Sequence, residues 1–547
     1  MDLAVAVIYI KGITAAVAAV FLVLTSRLFV HMLQQEGYKV KGLFLWLARN
    51  MKKAYGFTGL SAAVLVALQA AVNIFLVHTG IVYLVSQGIL LLLFAAAFAV
   101  SFKKLKVRNA KKPLVYTARV KRLYFAISFV SLVFSGALYL PDIFALHGTW
   151  AFGLLLFLAL VIQPDAVILA NVVMMPVESG VKRWYFNDAK KILKNRTDLI
   201  RVGITGSYGK TSTKFILGTI LSEKYSTLVT PSSFNTPMGL TRVIREQLKE
   251  GHEVFIAEMG ARHVGDISEL TGLVHPKYGI VTSVGPQHLE TFKTIENVKD
   301  TKFELIRALP GDGTAFFNAD NEYCREMFEM TNIDKKLYGM EYEGSLYVRA
   351  SDYATGVFGS RFTLAFEGGK SVEAKTRLLG RHNILNIAGC AAIAYALGLT
   401  PEEIASGISK LEPVEHRLNI LPTDNGVTVI DDAFNSNPQG VKMAMEVLSG
   451  FTGRKIVITP GMVELGERES EENYNFGRIM SEVADIVFLI GEKHTKPIYG
   501  GLSDGGFDMR SVYVYNTLEE ATARLGEVLM KGDVVIFEND LPDNYNE

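Results

Sequence analysis

Hydrophobic positions follow two regimes along this chain. Up to about residue 175 they run almost unbroken; beyond residue 200 they come in short clusters between polar turns. Five apolar runs, near 3–25, 57–78, 80–101, 123–141 and 147–170, have the roughly 20 residues a helix needs to cross a bilayer. The stretch 60–100 is nearly uncharged through two adjoining runs, which favours membrane spans over buried core helices. No basic segment precedes the first run, no convincing cleavage site follows it, and four more runs come after, so it predicts a span rather than a signal peptide. From residue 200 the pattern changes. Runs at 200–205, 253–257 and 277–283 predict strands alternating with helices such as 213–222, the pattern of an α/β parallel sheet. A second strand set, 426–430, 455–459, 485–490 and 534–537, predicts a separate domain. The fold class expected is an α-helical membrane domain (1–175), a P-loop doubly wound parallel sheet (176–412) and a C-terminal Rossmann-like domain (413–547).

Charge sets an orientation. Segment 103–122 carries Lys103, Lys104, Lys106, Arg108, Lys111, Lys112, Arg119, Lys121 and Arg122 with no acid. Segment 27–53 carries Arg27, Lys39, Lys41, Arg49, Lys52 and Lys53 against Glu36, while the connections near 78–80 and 141–147 lack Lys and Arg. The positive-inside rule then puts the N-terminus outside, both basic loops inside, and everything after about residue 171 in the cytoplasm of a multi-pass protein of the cell membrane. The basic loops either orient the chain beside anionic lipid or dock a phosphate-bearing lipid or nucleotide-sugar substrate. Lys11 and Asp165 lie in or near spans, where charge is expensive; Asp165, after Pro164, would cap an interfacial helix over 165–177. Hydrophobic residues make up 49% of the chain and mean hydropathy is +0.24, high for a soluble enzyme. A net charge of +1 gives no reason to expect nucleic acid as a partner, and two cysteines, Cys324 and Cys390, make neither a disulfide framework nor a zinc knuckle.

The candidate chemistry begins at the first predicted strand. It runs into Gly206-Ser207-Tyr208-Gly209-Lys210-Thr211-Ser212 and then a helix. Glycines let the backbone curl so that N–H groups face phosphate oxygens, and the helix N-terminus adds a favourable dipole. Lys210 can reach the terminal phosphates and Thr211 can ligate magnesium. The usual eight-residue loop wants Gly where Ile204 stands, so the generic motif is not met. Two further strands end in Glu258-Met259-Gly260 and in Val284-Gly285-Pro286-Gln287-His288. Ligands bind beyond the carboxyl ends of strands in such sheets. Glu258 and His288 are therefore candidate magnesium ligands; taken singly, each reads equally well as a loop acid and a structural histidine.

These segments resemble the central domain of the Mur ligases. So do Leu379-Gly-Arg-His-Asn-Ile-Leu-Asn-Ile-Ala388 and Pro413-Val-Glu-His-Arg-Leu418, and Asp431-Asp-Ala-Phe-Asn-Ser-Asn-Pro438 resembles the subgroup that adds D-alanyl-D-alanine to the UDP-muramoyl tripeptide. The resemblance runs from about residue 200 to 500. It implies an ATP- and Mg2+-dependent ligase that phosphorylates a carboxylate and lets an amine displace the phosphate. It further implies that Gly206, Ser207, Gly209, Lys210, Thr211 and Ser212 hold the phosphates, and that Thr211, Glu258 and His288 hold the metal. Lys302 matches a lysine carbamylated in several members, with an unmodified helix lysine as the alternative. Asn318, His382 and Asn383 fall in segments around the adenine, Arg417 matches an arginine at the terminal phosphates, and Asp432 an acid near the ribose. Asn235 lies in a loop that lines the acceptor site, and the segment 460–466 would face the incoming amine.

Two regions depart from the family. Membrane runs stand where soluble members hold the UDP-sugar, and Phe537-Glu-Asn-Asp-Leu-Pro-Asp543 is acidic where a Lys-Gly-Ser-Arg-like segment is expected. The expected partners are thus a peptide or amino-acid substrate, a lipid- or nucleotide-linked cell-wall precursor, and the membrane. Alternatives are a membrane-associated poly-γ-glutamate-type ligase and a non-catalytic ATP-binding scaffold.

Overall fold

The computed structural model of the chain describes residues 3–76, 79–105, 113–144, 159, 161–231, 234–287, 289–356, 359–413, 418–421, 423, 426–433, 437–463 and 465–539. It divides into two compact units, Met1–Arg183 and Trp184–Glu547.

The first unit is helical: α1 (Leu3–Thr25), α2 (Arg27–Gln35), α3 (Val40–Arg49), α4 (Phe57–Leu76), α5 (Ile81–Lys104), α6 (Ala118–Phe144) and α7 (Gln163–Lys194), of which residues up to Arg183 belong here. Among the described residues, five stretches are long and apolar enough to cross a membrane by length and composition: Val5–Gln35, Lys52–Leu76, Ile81–Lys104, Ala118–Ala137 and Gln163–Lys194. Four coincide with predicted runs. The run predicted at 147–170 falls largely outside the described residues. The helix expected over 165–177 begins instead at Gln163 and continues through Pro176 to Lys194. Inside the unit, Phe21 meets Phe94 and Phe98 at centroid distances of 5.9 and 4.9 Å, whereas Phe75, Leu92 and Phe125 are 76%, 71% and 76% exposed. Glu178 of α7 accepts from Arg122 Nε and Nη2 at 2.7 and 2.9 Å, and Arg119 stacks its guanidinium 3.6 Å above the Tyr38 ring.

The second unit carries two sheets. The larger contains β1 (Ile200–Thr205), β2 (Thr227–Val229), β3 (Val254–Glu258), β4 (Tyr278–Val281), β5 (Thr314–Asn318), β6 (Asp334–Gly339), β7 (Val348–Gly356), β8 (Gly359–Phe366) and β9 (Ser371–Thr376), in the order β2-β3-β1-β4-β5-β6-β7-β8-β9. Strands β3 and β5 are buried along their whole length, as expected of strands covered on both faces. The helices that matter for the site are α8 (Lys210–Leu221), α9 (Ile295–Arg307) and α10 (Arg381–Ala396). The sheet is mixed, which corrects the expectation of a purely parallel one. Parallel pairing runs from β2 to β7, but β7, β8 and β9 form an antiparallel meander. Burial alternates along β8, so one face of the meander is covered and the other meets water.

The smaller sheet has β10 (Asn419–Leu421), β11 (Thr428–Asp432), β12 (Lys455–Thr459), β13 (Ile486–Ile490), β14 (Val512–Tyr515) and β15 (Val534–Glu538), ordered β10-β11-β15-β12-β13-β14, with only β10 antiparallel. Two of its helices, α11 (Glu469–Val483) and α12 (Glu492–Asp504), pack backbone to backbone. A Cβ added at Gly477 would collide with Ile498 O, and one at Gly501 with Tyr474 O. Gly501→Ala must push the two helices apart. It is expected to cost about 1–3 kcal/mol, lowering the apparent thermal midpoint of the detergent-solubilised chain by several degrees in calorimetry, while Gly500→Ala, whose added carbon meets Tyr474 only at 3.8 Å, leaves it nearly unchanged.

Candidate functional site

The site forms where β1, β3 and β4 end. The chain leaves β1 toward β2 on one side and later crosses to β4 on the other, so the crevice lies at a reversal of strand order. The loop after β1 is tied to the loop after β4. Ser207 N donates to Ser283 O at 2.7 Å, Gly285 N to Ser207 Oγ at 3.0 Å, and Thr282 Oγ1 to Tyr208 O at 2.5 Å. Gly206 has φ +152° and no room for a side chain, because a Cβ would collide with Thr282 Oγ1. Gly209, at φ +79°, lies against α10, where a Cβ would come within 2.7 Å of Asn386 Oδ1. This packing aims the first turn of α8 into the cleft.

Lys210 Nζ donates to Gly206 O and Ser207 O at 2.6 and 3.0 Å. Thr211 Oγ1 donates to Glu258 Oε1 at 3.1 Å, and Asn235 Nδ2 donates to the same oxygen at 3.1 Å. Asn235, expected at an acceptor-lining loop, thus also braces the candidate metal ligand. It can do so because residue 260 is Gly: a Cβ there would stand 2.8 Å from the Asn235 amide. A hydroxyl and a carboxylate side by side are hard oxygen donors. That is the set Mg2+ takes when nucleotide phosphates and water complete its shell. Among the described residues no three His, Cys, Asp or Glu side chains converge.

One cleft is lined from the larger sheet by Ser207, Gly209, Lys210, Thr211, Ser212, His382 and Asn383, and from the smaller by Asp432, Asn437 and Glu538. It brings together most of the residues expected to hold nucleotide. Asn383 is pinned by Nδ2 donating to Leu379 O at 2.8 Å. Asn318 does not line the cleft. Its amide bridges strand ends, donating to Thr282 O and accepting from Asp320 N, both at 2.9 Å. Lys302 sits apart on α9, 2% exposed, with its ammonium 5.8 Å from the Phe292 ring centroid. Burial, reinforced by the charge of Lys210, brings its pKa down to about 7. Burial also pushes the Cys324 thiol up to about 12 and the Cys390 thiol well above its ordinary value, which removes both as thiolate nucleophiles. His288 and Arg417, expected at the metal and the terminal phosphates, lie outside the described residues, as do 434–436 and, in the segment expected to face the amine, Glu464.

Sequence reasoning missed two residues. Lys214 reaches Glu258 Oε2 at 2.9 Å with both side chains buried; its spacing of three from Thr211 puts both on one face of α8, but no local signal marks it as the partner of a buried acid. Glu538 was noted only as an anomaly of charge. It is 1% exposed, accepts from Thr459 Oγ1 at 2.9 Å, and pairs in register with Asp432 across β11 and β15.

Two family models match this unit: the Mur ligase middle domain over residues 204–394, and the Mur ligase, glutamate ligase domain, over residues 416–538. Among curated proteins, the UDP-N-acetylmuramoyl-tripeptide--D-alanyl-D-alanine ligase of Mycobacterium tuberculosis is 30% identical over 359 residues, 61% of this chain and 69% of that protein. The enzyme of the same name from Bacillus subtilis is 28% identical over 342 residues, 61% and 72%. MurF ligase from Thermotoga maritima, solved in complex with ADP, superposes with a TM-score of 0.59 at 27% identity, covering 66% of this chain and 80% of that one. MurF from Acinetobacter baumannii gives 0.61 at 24% identity, covering 66% and 78%, a likeness of fold. Matched over both of its α/β domains, the chain belongs to the Mur ligase family of ATP-dependent acid–amino-acid ligases.

Proposed function

We propose that this protein joins an amino acid or dipeptide to a carboxylate acceptor in peptidoglycan-precursor synthesis at a membrane, through domains over about 1–175, 176–412 and 413–547. The observation that carries the proposal is the cleft itself. The glycine loop, Lys210 and Thr211, whose hydroxyl is bonded to the buried Glu258 behind it, face Asp432 of the C-terminal sheet across a single space. Loop amides and the α8 N-terminus would receive ATP phosphates, and Lys210 would neutralise charge as the acceptor carboxylate attacks the γ-phosphorus and ADP leaves. The amine then attacks the acyl carbon, and phosphate departs from the tetrahedral carbon with its bonding pair. Mg2+, when bound, supplies further neutralisation of the phosphates; Thr211, Glu258 and His288 would hold it, and Arg417 would meet the terminal phosphates. His382 and Asn383 are proposed around the adenine and Asp432 near the ribose; Asn318, which does not line the cleft, would act there only by holding the strand ends behind it. Positioning and charge are the whole of the protein's chemical contribution.

The membrane part of the proposal is supported by the five long apolar helices and their exposed Phe75, Leu92 and Phe125. Because the five long apolar helices stand before both matched family models, the acceptor is proposed to be a lipid- or nucleotide-linked cell-wall precursor, the lipid-linked form being the one a membrane unit would present at the inner leaflet.

Lys210→Ala is expected to lower acceptor-dependent ADP release about 10²–10³-fold with an unchanged thermal midpoint; retained turnover would remove the loop from the reaction. Lys302 yields a pH prediction. Below about pH 7 its amine is protonated and inert; above it the free amine adds CO2 to give a carbamate and a proton. CO2-depleted enzyme is therefore expected to lose activity and, at equilibrium with added bicarbonate, to regain more of it at pH 8 than at pH 6, with a carbamate signal from 13C-bicarbonate by NMR. Indifference to CO2 would leave Lys302 an unmodified buried amine. For the acceptor, undiminished ligation of D-alanyl-D-alanine to soluble UDP-muramoyl tripeptide after deletion of residues 1–170 would argue against a lipid-linked substrate. Turnover restricted to a lipid-linked carboxylate would support one.

A further inference from the structure

The two carboxylate oxygens of Glu258 are held differently: Oε1 by hydrogen bonds, Oε2 by an ion pair without hydrogen-bond geometry. Oε1 accepts Thr211 Oγ1 and Asn235 Nδ2, and Oε2 lies 2.9 Å from Lys214 Nζ. The Lys214 side chain is 0% exposed and that of Glu258 1%. Lysine seldom goes fully inside a protein unless paired, and a buried carboxylate without a cation is worse placed still. Lys210 and Lys214 are one turn apart on α8 yet serve different groups: the first turns to the loop carbonyls, the second inward to the acid.

A metal site built on one carboxylate and one hydroxyl raises a question of charge. Mg2+ enters and leaves with each nucleotide, and a buried anion would be exposed to its own desolvation each time. Building on Glu258 as a ligand of the metal, we infer that Lys214 is the resident counter-ion of Glu258. Its ammonium neutralises the acid between turnovers and occupies Oε2, leaving Oε1, beside the Thr211 hydroxyl, as the oxygen offered to the metal. A divalent cation approaching Oε1 meets an acid already neutralised and a positive charge a few ångströms beyond it. Coulomb repulsion at that range is strong in a water-poor site. Nucleotide phosphates supply the missing negative charge, so metal binding becomes conditional on nucleotide. Lys214 is thus a positioning residue: it touches neither substrate nor phosphate, and acts by setting the charge and pose of Glu258.

The test is nucleotide-free Mn2+ binding to the full-length, detergent-solubilised protein, read by electron paramagnetic resonance of the free ion. Wild type and Lys214→Arg are expected to bind Mn2+ weakly. Lys214→Met is expected to bind it at least about tenfold more tightly, a gain that misfolding does not produce. Lys214→Gln, uncharged but able to donate to Oε2, is expected to show the same gain, so a folding defect in one variant does not hide the result. Adding Glu258→Gln to Lys214→Met is expected to abolish the gain. Variants binding no more tightly than wild type, or a gain that survives Glu258→Gln, would overturn the counter-ion role. Glu258→Gln alone separates this from the parent proposal. If it leaves the Mg2+ dependence of ADP release unchanged, Glu258 is no metal ligand and the wider assignment fails; if it weakens that dependence while Lys214→Met gains nothing, only the counter-ion role fails.

Discussion

The catalytic unit depends on one constraint: the loop after β1 is fastened to the loop after β4 before any ligand is considered. Ser207, Tyr208 and Gly206 are each held or crowded by residues 282–285. Loop amides that must face a triphosphate together would otherwise lose conformational entropy at every binding event. Here that ordering is supplied by folding, since β1 and β4 are hydrogen-bonded neighbours in the sheet. The same register carries Glu258 to the end of β3, opposite Ile204 of β1, within reach of the first turn of α8. Thr211, Glu258 and the glycine loop therefore share one rigid frame, and Gly206, Gly209 and Gly260 are small because neighbouring groups already fill the space where a side chain would stand.

How far the sequence disclosed this differs by element. Strand β1 is legible to the residue because a buried β-branched run ends in a glycine turn. The strands carrying Glu258 and the Val284–Gly285 loop are legible for the same reason. The meander β7 to β9 is less so, since its strands alternate and carry a register shift between Ser351 and Ala354; the signal that could have found it is the Gly368-Gly369 pair between β8 and β9, at φ +92° and +81°. The length of α7 was only partly legible: the expected helix over 165–177 already passes Pro176, but its continuation through the polar, charged stretch to Lys194 carries no apolar run to mark it. Lys214 was illegible for a deeper reason. A lysine on a helix is normally solvated, and nothing local reveals a carboxylate 44 positions later in the chain waiting for it.

The two units solve opposite problems with opposite surfaces. In the second, large apolar side chains such as Phe255, Phe316 and Phe317 are fully buried, and the sheets' own neighbours satisfy the backbone. In the first, Phe75 and Phe125 face outward, while ionic groups turn inward onto one another, as Glu178 does toward Arg119 and Arg122. A contiguous apolar exterior of this kind is stable in hydrocarbon and unfavourable in water. Anchoring an amide ligase by such a unit would confine its encounters to a surface, which favours a substrate that shares that surface.

Charge across the cleft gives the proposed reaction its direction. On the wall from the larger sheet stand the α8 N-terminus and Lys210, arranged for anions. On the wall from the smaller sheet stand Asp432 and Glu538, neighbours in register at the ends of β11 and β15. A triphosphate seated against the second wall would meet like charge, so it belongs on the first. An incoming amine arrives as an ammonium and must shed a proton before it can attack. A wall bearing carboxylates is suited to attract the cation, and the opposite wall to hold the acyl phosphate it attacks. Glu538 itself, buried beside Asp432 and bonded to Thr459, adds to the negative charge of that wall and leaves the cleft with one side for anions and one for cations.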